Sequence, residues 1–292
     1  MKPHLKLAAA VALLSTANLH LSSAFAATTI DPLNRFAWGA NLGWIDWRGN
    51  TNNGAVIGDY VCSGLIYAAN VGWINLGSGN PTNGIRYQNL SAGDFGVNQD
   101  GLGNLRGYAY GANIGWINFE NTGAPKLDLK TGKFSGYVYA ANCGWISLSN
   151  AAAFVQTDTL DPGPLSTNGL PIPWLLANFG TTNVNANADP DGDGMSNRQE
   201  YLAGTNPLDG NDKLQITAIS AQPGGAPATV TWQSAPTRCY LLQTTLEVAS
   251  PNWLDSGLGL IPPDGALTTR MVSQAAATKR FYRVQAVNPL AP

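Results

Sequence analysis

Past residue 26 the chain has no histidine. Its two histidines, His4 and His20, both fall within an N-terminal leader, so the exported chain carries no imidazole. That excludes Ser-His and Cys-His mechanisms, and with them any histidine-ligated zinc or iron centre. Cysteine is almost as scarce. Cys62, Cys143 and Cys239 are an odd number, and their spacing matches no disulfide framework. Three small buried thiols are the simplest expectation, with a Cys62–Cys143 bridge as the alternative in an oxidising compartment. Glutamate is limited to Glu120, Glu200 and Glu247. A paired-carboxylate hydrolase therefore has little to work with, and Asp46 and Asp59 sit in no catalytic motif, so a non-catalytic protein is expected. After the leader there is no apolar run long enough to cross a membrane as a helix.

The leader itself is well marked. Lys2 and Lys6 precede an apolar run from Leu7 to Leu19, and Ala24-Phe25-Ala26 has the small-x-small form of a signal-peptidase site. Residues 1–26 are read as a signal peptide, and the protein as secreted or held at the cell surface. Its removal takes two lysines, leaving 14 of 16 cations against 18 anions, a balance that argues against nucleic acid as a partner.

From Phe36 to Ser149 the chain repeats itself four times. Aligned on Gly-Trp, the copies are Phe36 to Trp47, Leu65 to Leu76, Tyr108 to Phe119 and Tyr137 to Leu148, with tryptophans spaced 29, 43 and 29 residues apart. Because 44 to 116 and 73 to 145 are both 72, the pattern is a doublet that was itself duplicated. Each copy runs aromatic or β-branched residues into an Asn/Gly turn and then Trp-Ile-x-apolar, which predicts a hairpin. Strand-like pieces ending in glycine turns, such as Lys126 to Ser135, precede the later copies and suggest three-stranded meanders. Four such units predict an antiparallel β domain, either a sandwich or a barrel.

Period 2 divides the second strand of each hairpin. Ile45, Ile74, Ile117 and Ile146 share a face with Trp47, Leu76, Phe119 and Leu148, which marks the core. Trp44, Trp73, Trp116 and Trp145 lie on the other face, alternating with Asp46, Asn75, Asn118 and Ser147. Aromatics among small polar groups fit a sugar-stacking platform. They also fit a tryptophan packed across the hairpin on Tyr67, Tyr110 or Tyr139, and this reading comes first because repeat positions recur for the sake of the fold. Asn41, Asn70, Asn113 and Asn142 read first as turn residues tolerating left-handed backbone.

The strongest chemical signal is the stretch Asp189 to Glu200. Acidic residues stand at loop positions 1, 3 and 5 (Asp189, Asp191, Asp193), Gly194 at 6, Met195 at 7 to offer its carbonyl, Asn197 at 9 and Glu200 at 12. That is the oxygen-donor spacing that wraps a hard cation, and calcium is the ion it suits. Six of the eighteen carboxylates lie between Asp189 and Asp212, so the segment repels itself without a counter-ion; Asp209 and Asp212 offer a partial second site. A short helix from Asn197, ended by Gly204, holds Glu200 in place. Ala188 to Leu208 resembles the single calcium-loop modules related to type 3 thrombospondin repeats and to half of a dockerin. The twelve positions resemble an EF-hand loop, but no entering helix abuts Asp189 and there is no second loop, as a cohesin-binding dockerin requires. The resemblance implies a secreted bacterial protein.

Pro173 to Gly180 reads as a short helix, with proline in its first turn and glycine past its end. After the loop, five strand-like runs (Leu214 to Ile219, Thr229 to Gln233, Cys239 to Leu246, Thr268 to Ser273, Phe281 to Val287) predict a small Ig-like or fibronectin-III-like sandwich with Trp232, Tyr240 and Tyr282 in its core. The organisation expected is a signal peptide (1–26), a β-repeat domain (27–150), a linker (151–171), a calcium-loop module (172–212) and a β-sandwich (213–292). The function that follows is a calcium-binding adhesion or matrix protein, with calcium as a structural clamp and an extracellular glycan or surface protein as partner. The alternative is a carbohydrate-binding protein using the repeat tryptophans.

Overall fold

The computed structural model describes residues 28–50, 52–220, 227–249, 252–273 and 279–291; the expected signal peptide lies outside the described residues. The four repeats fold as four hairpins: β1 (Ile30–Gly39) with β2 (Gly43–Asp46), β3 (Leu65–Ala68) with β4 (Gly72–Asn75), β5 (Leu105–Gly111) with β6 (Gly115–Asn118), and β7 (Tyr137–Ala140) with β8 (Gly144–Ser147). Each hairpin also pairs with the next, β2 with β3, β4 with β5 and β6 with β7, and β8 returns to β1 through Trp38↔Ser147 and Gly39↔Ile146. The result is a closed antiparallel eight-stranded barrel. Of the two architectures the repeats allowed, the structure adopts the barrel. An eight-strand ring is just wide enough for side chains to fill.

The alternation of faces is as expected. Ile45, Ile74, Ile117 and Ile146 point into the ring with Ala37, Ala68, Ala109 and Ala140, all buried. Leu42, Ile114 and Cys143, equivalent turn residues, are buried at the hairpin-tip end of the ring; Trp47, Leu76, Phe119 and Leu148 fill the other end. Cys143 thus occupies a repeat position that elsewhere holds an aliphatic side chain. All three cysteines are buried free thiols, and burial pushes the Cys62 thiol up to about 12. The bridge between Cys62 and Cys143 is not formed.

Only the third repeat makes the expected three-stranded meander among the described residues, where Val97–Gln99 pairs with the start of β5 and β5 with β6; the other three are two-stranded. Ring closure uses both edges of the short strands, so a preceding piece finds a free edge only where a long strand extends past its ring partner. The other pieces pair with one another, as Val56–Ile57 with Cys62–Ser63 and Lys126–Leu127 with Phe134–Ser135 do. The segment 151–171 is likewise no free linker. Val155–Thr157 pairs with the first half of β1, and Leu160 is buried in the barrel core.

The hairpin turns differ from expectation in an informative way. The left-handed residues are glycines, Gly43, Gly72, Gly115 and Gly144, with φ between 75° and 84°. The asparagines instead reach across to the neighbouring hairpin. Asn70 Nδ2 donates to the Leu42 carbonyl (3.0 Å), Asn113 to Val71 (2.9 Å), Asn142 to Ile114 (3.0 Å) and Asn41 to Cys143 (3.1 Å). Four bonds therefore link the four tips into a circuit.

After the barrel come α1 (Ile172–Phe179) and α2 (Asn197–Ala203), ended by Gly180 and Gly204 in left-handed conformation. Trp174 of α1 packs edge-on against Tyr201 of α2, their ring centres 5.6 Å apart. Among the described residues six further strands follow: β9 (Ile216–Ser220), β10 (Ala228–Gln233), β11 (Cys239–Thr245), β12 (Leu254–Asp255), β13 (Leu267–Val272) and β14 (Phe281–Val287). They form two three-stranded sheets, β9-β10-β13 and β12-β11-β14, enclosing Val230, Trp232, Tyr240, Leu242 and Val272. The pairing makes a small two-sheet sandwich, and β12 is a short strand beyond the five that sequence patterning placed. Among the described residues no helix is long and apolar enough to cross a membrane.

Candidate metal centre and aromatic collar

The acidic loop curls as its spacing requires. One ligand oxygen each from Asp189, Asp191 and Asp193 lies within 4.8 Å of the others. The curl is held by the carboxylates themselves. Asp189 accepts the Gly192 and Gly194 N–H groups (2.8 and 2.9 Å), Asp191 that of Asp193 (3.2 Å) and Asp193 that of Met195 (2.6 Å). Gly192 and Gly194 take φ of 77° and 96°, a backbone that a side chain disfavours.

Helix α2 begins directly behind the loop. Its first N–H groups, which no helix can satisfy internally, bond to the chain before the loop: Asn197 to the Ala188 carbonyl (2.8 Å) and Arg198 to that of Ala186 (2.9 Å). Asn197 Nδ2 donates to the Asn185 carbonyl (2.8 Å), which fixes its side chain. Glu200 is fully buried and takes a hydrogen bond from Thr205 (3.2 Å). Burial, then the nearby Asp191 charge, pushes the Glu200 carboxyl up to about 7.

Four oxygens are left over. Asp191 Oδ2, Asp193 Oδ2, Asn197 Oδ1 and Glu200 Oε2 are all buried and have no hydrogen-bond partner. An unpaired buried acceptor costs about 1–3 kcal/mol, and more when charged, so four on one short segment need an electropositive guest. The donor set is oxygen only, which suits a hard divalent cation and not a thiolate- or imidazole-seeking metal. Asp209 and Asp212 do not join the cluster: they accept the backbone N–H groups of Asn211 (3.1 Å) and Asn206 (3.0 Å) in the turn that follows. Thr205 and Asn185, which position Glu200 and Asn197, carry no sequence signal. Gly210 does, in retrospect, because it packs flat on the loop: a Cβ there would lie 3.3 Å from the Asp191 carbonyl oxygen.

The loop is tied to the rest of the molecule through α2. Arg238, in the turn before β11, donates to the carbonyls of Tyr201 and Leu202 at the end of that helix, where a cation is favoured. Asn288, after β14, donates to the Tyr201 hydroxyl (3.4 Å). Between the barrel, these helices and the sandwich lies a cavity of about 400 Å³, lined among others by Asp59, Arg86, Trp174, Tyr201 and Arg238. Burial pushes the Asp59 carboxyl up to about 6 although Arg238 opposes the shift.

The repeat tryptophans form the second feature. Trp44, Trp73, Trp116 and Trp145 are 47, 44, 46 and 46% exposed. Each is also packed across its hairpin, on Trp38, Tyr67, Tyr110 and Tyr139, with ring centres 4.8, 4.8, 4.9 and 5.0 Å apart. Cross-strand packing and exposure, weighed as rivals from the sequence, therefore coexist. Every barrel strand contributes one of these eight rings, so they make a collar of four paired platforms just below the hairpin tips, with Asp46, Asn75, Asn118 and Ser147 between one pair and the next. Two of the platforms border clefts, one at Trp116 with Phe95 and Tyr108, and one at Trp145 with Asn118 and Glu120.

Comparison of the chain with curated proteins returns no match, and neither does comparison with solved structures. The model of the bacterial TSP3 repeat matches residues 189–210, from the first loop aspartate to the glycine packed against it. TSP3 repeats bind calcium, and the aspartate triad lies within that match, arranged so that it can hold a metal ion.

Proposed function

We propose that this chain is a secreted, non-catalytic calcium-binding protein of surface attachment or matrix assembly, in which calcium is a permanent structural clamp. The observation that carries this reading is the set of four buried, unpartnered oxygens on Asp191, Asp193, Asn197 and Glu200, on the same short segment as the Asp189, Asp191 and Asp193 cluster. Asp189, Asp191, Asp193, Asn197 and Glu200 would hold the ion by side chain and Met195 by its carbonyl. The ion neutralises a loop that otherwise repels itself and locks Glu200 at the centre of α2. Through Arg238 the same helix fastens the sandwich. Extracellular calcium sites bind at about 0.1–1 mM, which suits a site kept filled outside the cell. In the test, chelation lowers the melting temperature of the purified protein, and Asp191→Ala melts at the chelated temperature with no further response to chelator. Identical melting curves with and without calcium would overturn the clamp.

A second reading is favoured by a separate observation: the half-exposed collar. Flat rings open to solvent beside small polar side chains suit the C–H faces and hydroxyls of a glycan, so the barrel is the surface on which a carbohydrate partner would be held.

A further inference from the structure

The four platforms share a backbone but not their surroundings. At the fourth, the short 3-10 turn Asn121–Gly123 rises beside Trp145 and makes a cleft of about 220 Å³, lined by Asn118, Glu120, Thr122, Gly123, Tyr139 and Trp145. Its geometry is built rather than incidental. Gly123 lies so close to the Tyr137 carbonyl and to the edge of the Trp145 ring that no side chain fits there, with a Cβ 3.1 Å from the ring. Asn118 spends its carbonyl oxygen on the Glu120 N–H (2.6 Å), and Glu120 spends Oε1 on the Gly107 N–H (2.8 Å). Among the described residues the Asn118 amide NH₂ and Glu120 Oε2 then have no hydrogen-bond partner. The Trp145 indole stays 46% exposed.

We infer that this cleft binds one neutral pyranose ring, with Trp145 as the stacking floor and Glu120 and Asn118 reading its hydroxyls. The proposal rests on the carbohydrate reading of the collar and narrows it to one site and one ligand class. A carboxylate oxygen accepts from hydroxyls, an amide NH₂ donates to them, and the Thr122 hydroxyl does either. An apolar peptide side chain in the same place would bury the Glu120 charge uncompensated, which is costly. An acidic sugar would meet that charge with no cation among the lining residues. The position of Glu120, two residues past the Asx/Ser of its repeat, is held by Arg48, Gly77 and Ser149 in the other three copies, so this chemistry belongs to one platform only.

The test is titration calorimetry of the full calcium-loaded chain with the methyl β-glycosides of glucose, galactose, mannose and N-acetylglucosamine, and with glucuronic acid. At least one neutral glycoside is expected to bind, and glucuronic acid is not. Trp145→Ala should abolish that binding. Glu120→Gln, which keeps the acceptor for Gly107, should weaken it about tenfold or more at an unchanged melting temperature, as loss of a charged hydrogen bond does. Trp73→Ala should leave it intact. Binding that survives Trp145→Ala and Glu120→Gln but is lost with Trp44→Ala or Trp73→Ala would overturn this site and leave the carbohydrate reading standing. No binding of any neutral probe would overturn both.

Discussion

Two neighbouring residues of one strand show how far the two faces of the barrel differ. Ile74 is fully buried and Trp73 is 44% exposed. Ile74→Ala should cost about 2–5 kcal/mol in denaturant unfolding, whereas Trp73→Ala, which loses mainly its contact with Tyr67, should cost about 1 kcal/mol or less. A reversed order would mean that the collar carries the fold. Asp59 gives a prediction in pH. Its carboxyl is raised from 3.8 to about 6 in the folded chain, so folding favours its protonated form and this contribution to stability is lost as pH rises between those values. Arg238 opposes that shift, while Asp161 adds to it. Asp59→Asn should flatten the slope between about pH 4 and 6 and add on the order of 2 kcal/mol at neutral pH, read from denaturant midpoints across that range. At this scale the aspartate cluster was legible in advance. Asp189, Asp191 and Asp193 are local in sequence, and their alternate spacing maps onto one curl of backbone. Thr205 and Asn185 were not, because a hydroxyl or a carbonyl that supports a ligand has no distinctive spacing.

For single elements the period of the side chains was the reliable guide. It placed the isoleucines inside and the tryptophans outside, because a strand has only two faces and one must be apolar. What it missed was everything decided by edges. Whether a piece such as Lys126 to Ser135 joins the main sheet depends on whether an edge is free: β7 is paired on both sides, whereas the first half of β5 extends past its ring partner and takes up Val97–Gln99. The tip asparagines were missed for the same reason: Asn41 and Cys143 are 102 residues apart, and nothing local announces their bond. Asn70→Ala should cost about 1 kcal/mol, the ordinary value of one such bond, while leaving the turn itself intact. Gly72→Ala, by contrast, strains a φ of 84° and should cost about 1 kcal/mol or more through the backbone alone. Thermal melts of the two variants, singly and together, check whether the effects add, as independent mechanisms require.

On the scale of the whole molecule, the barrel, the calcium loop and the sandwich meet at α2. Arg238→Ala removes the hydrogen bonds to Tyr201 and Leu202, and calorimetry should then resolve the sandwich and the barrel as separate transitions where the parent shows them coupled. A single unshifted transition in the variant would show that the helix does not join them. Closure of the ring also bears on how such a barrel comes to exist. A half made of the first two hairpins has two open edges, β1 and β4, and in the intact ring the partners of those edges, β8 and β5, belong to the other half. The two registers are equivalent, Ile146↔Gly39 and Ile74↔Gly111, so the half is complementary to itself. Two copies of one 72-residue chain would rebuild the ring as a twofold dimer, and joining them end to end yields a monomer without devising a single new contact.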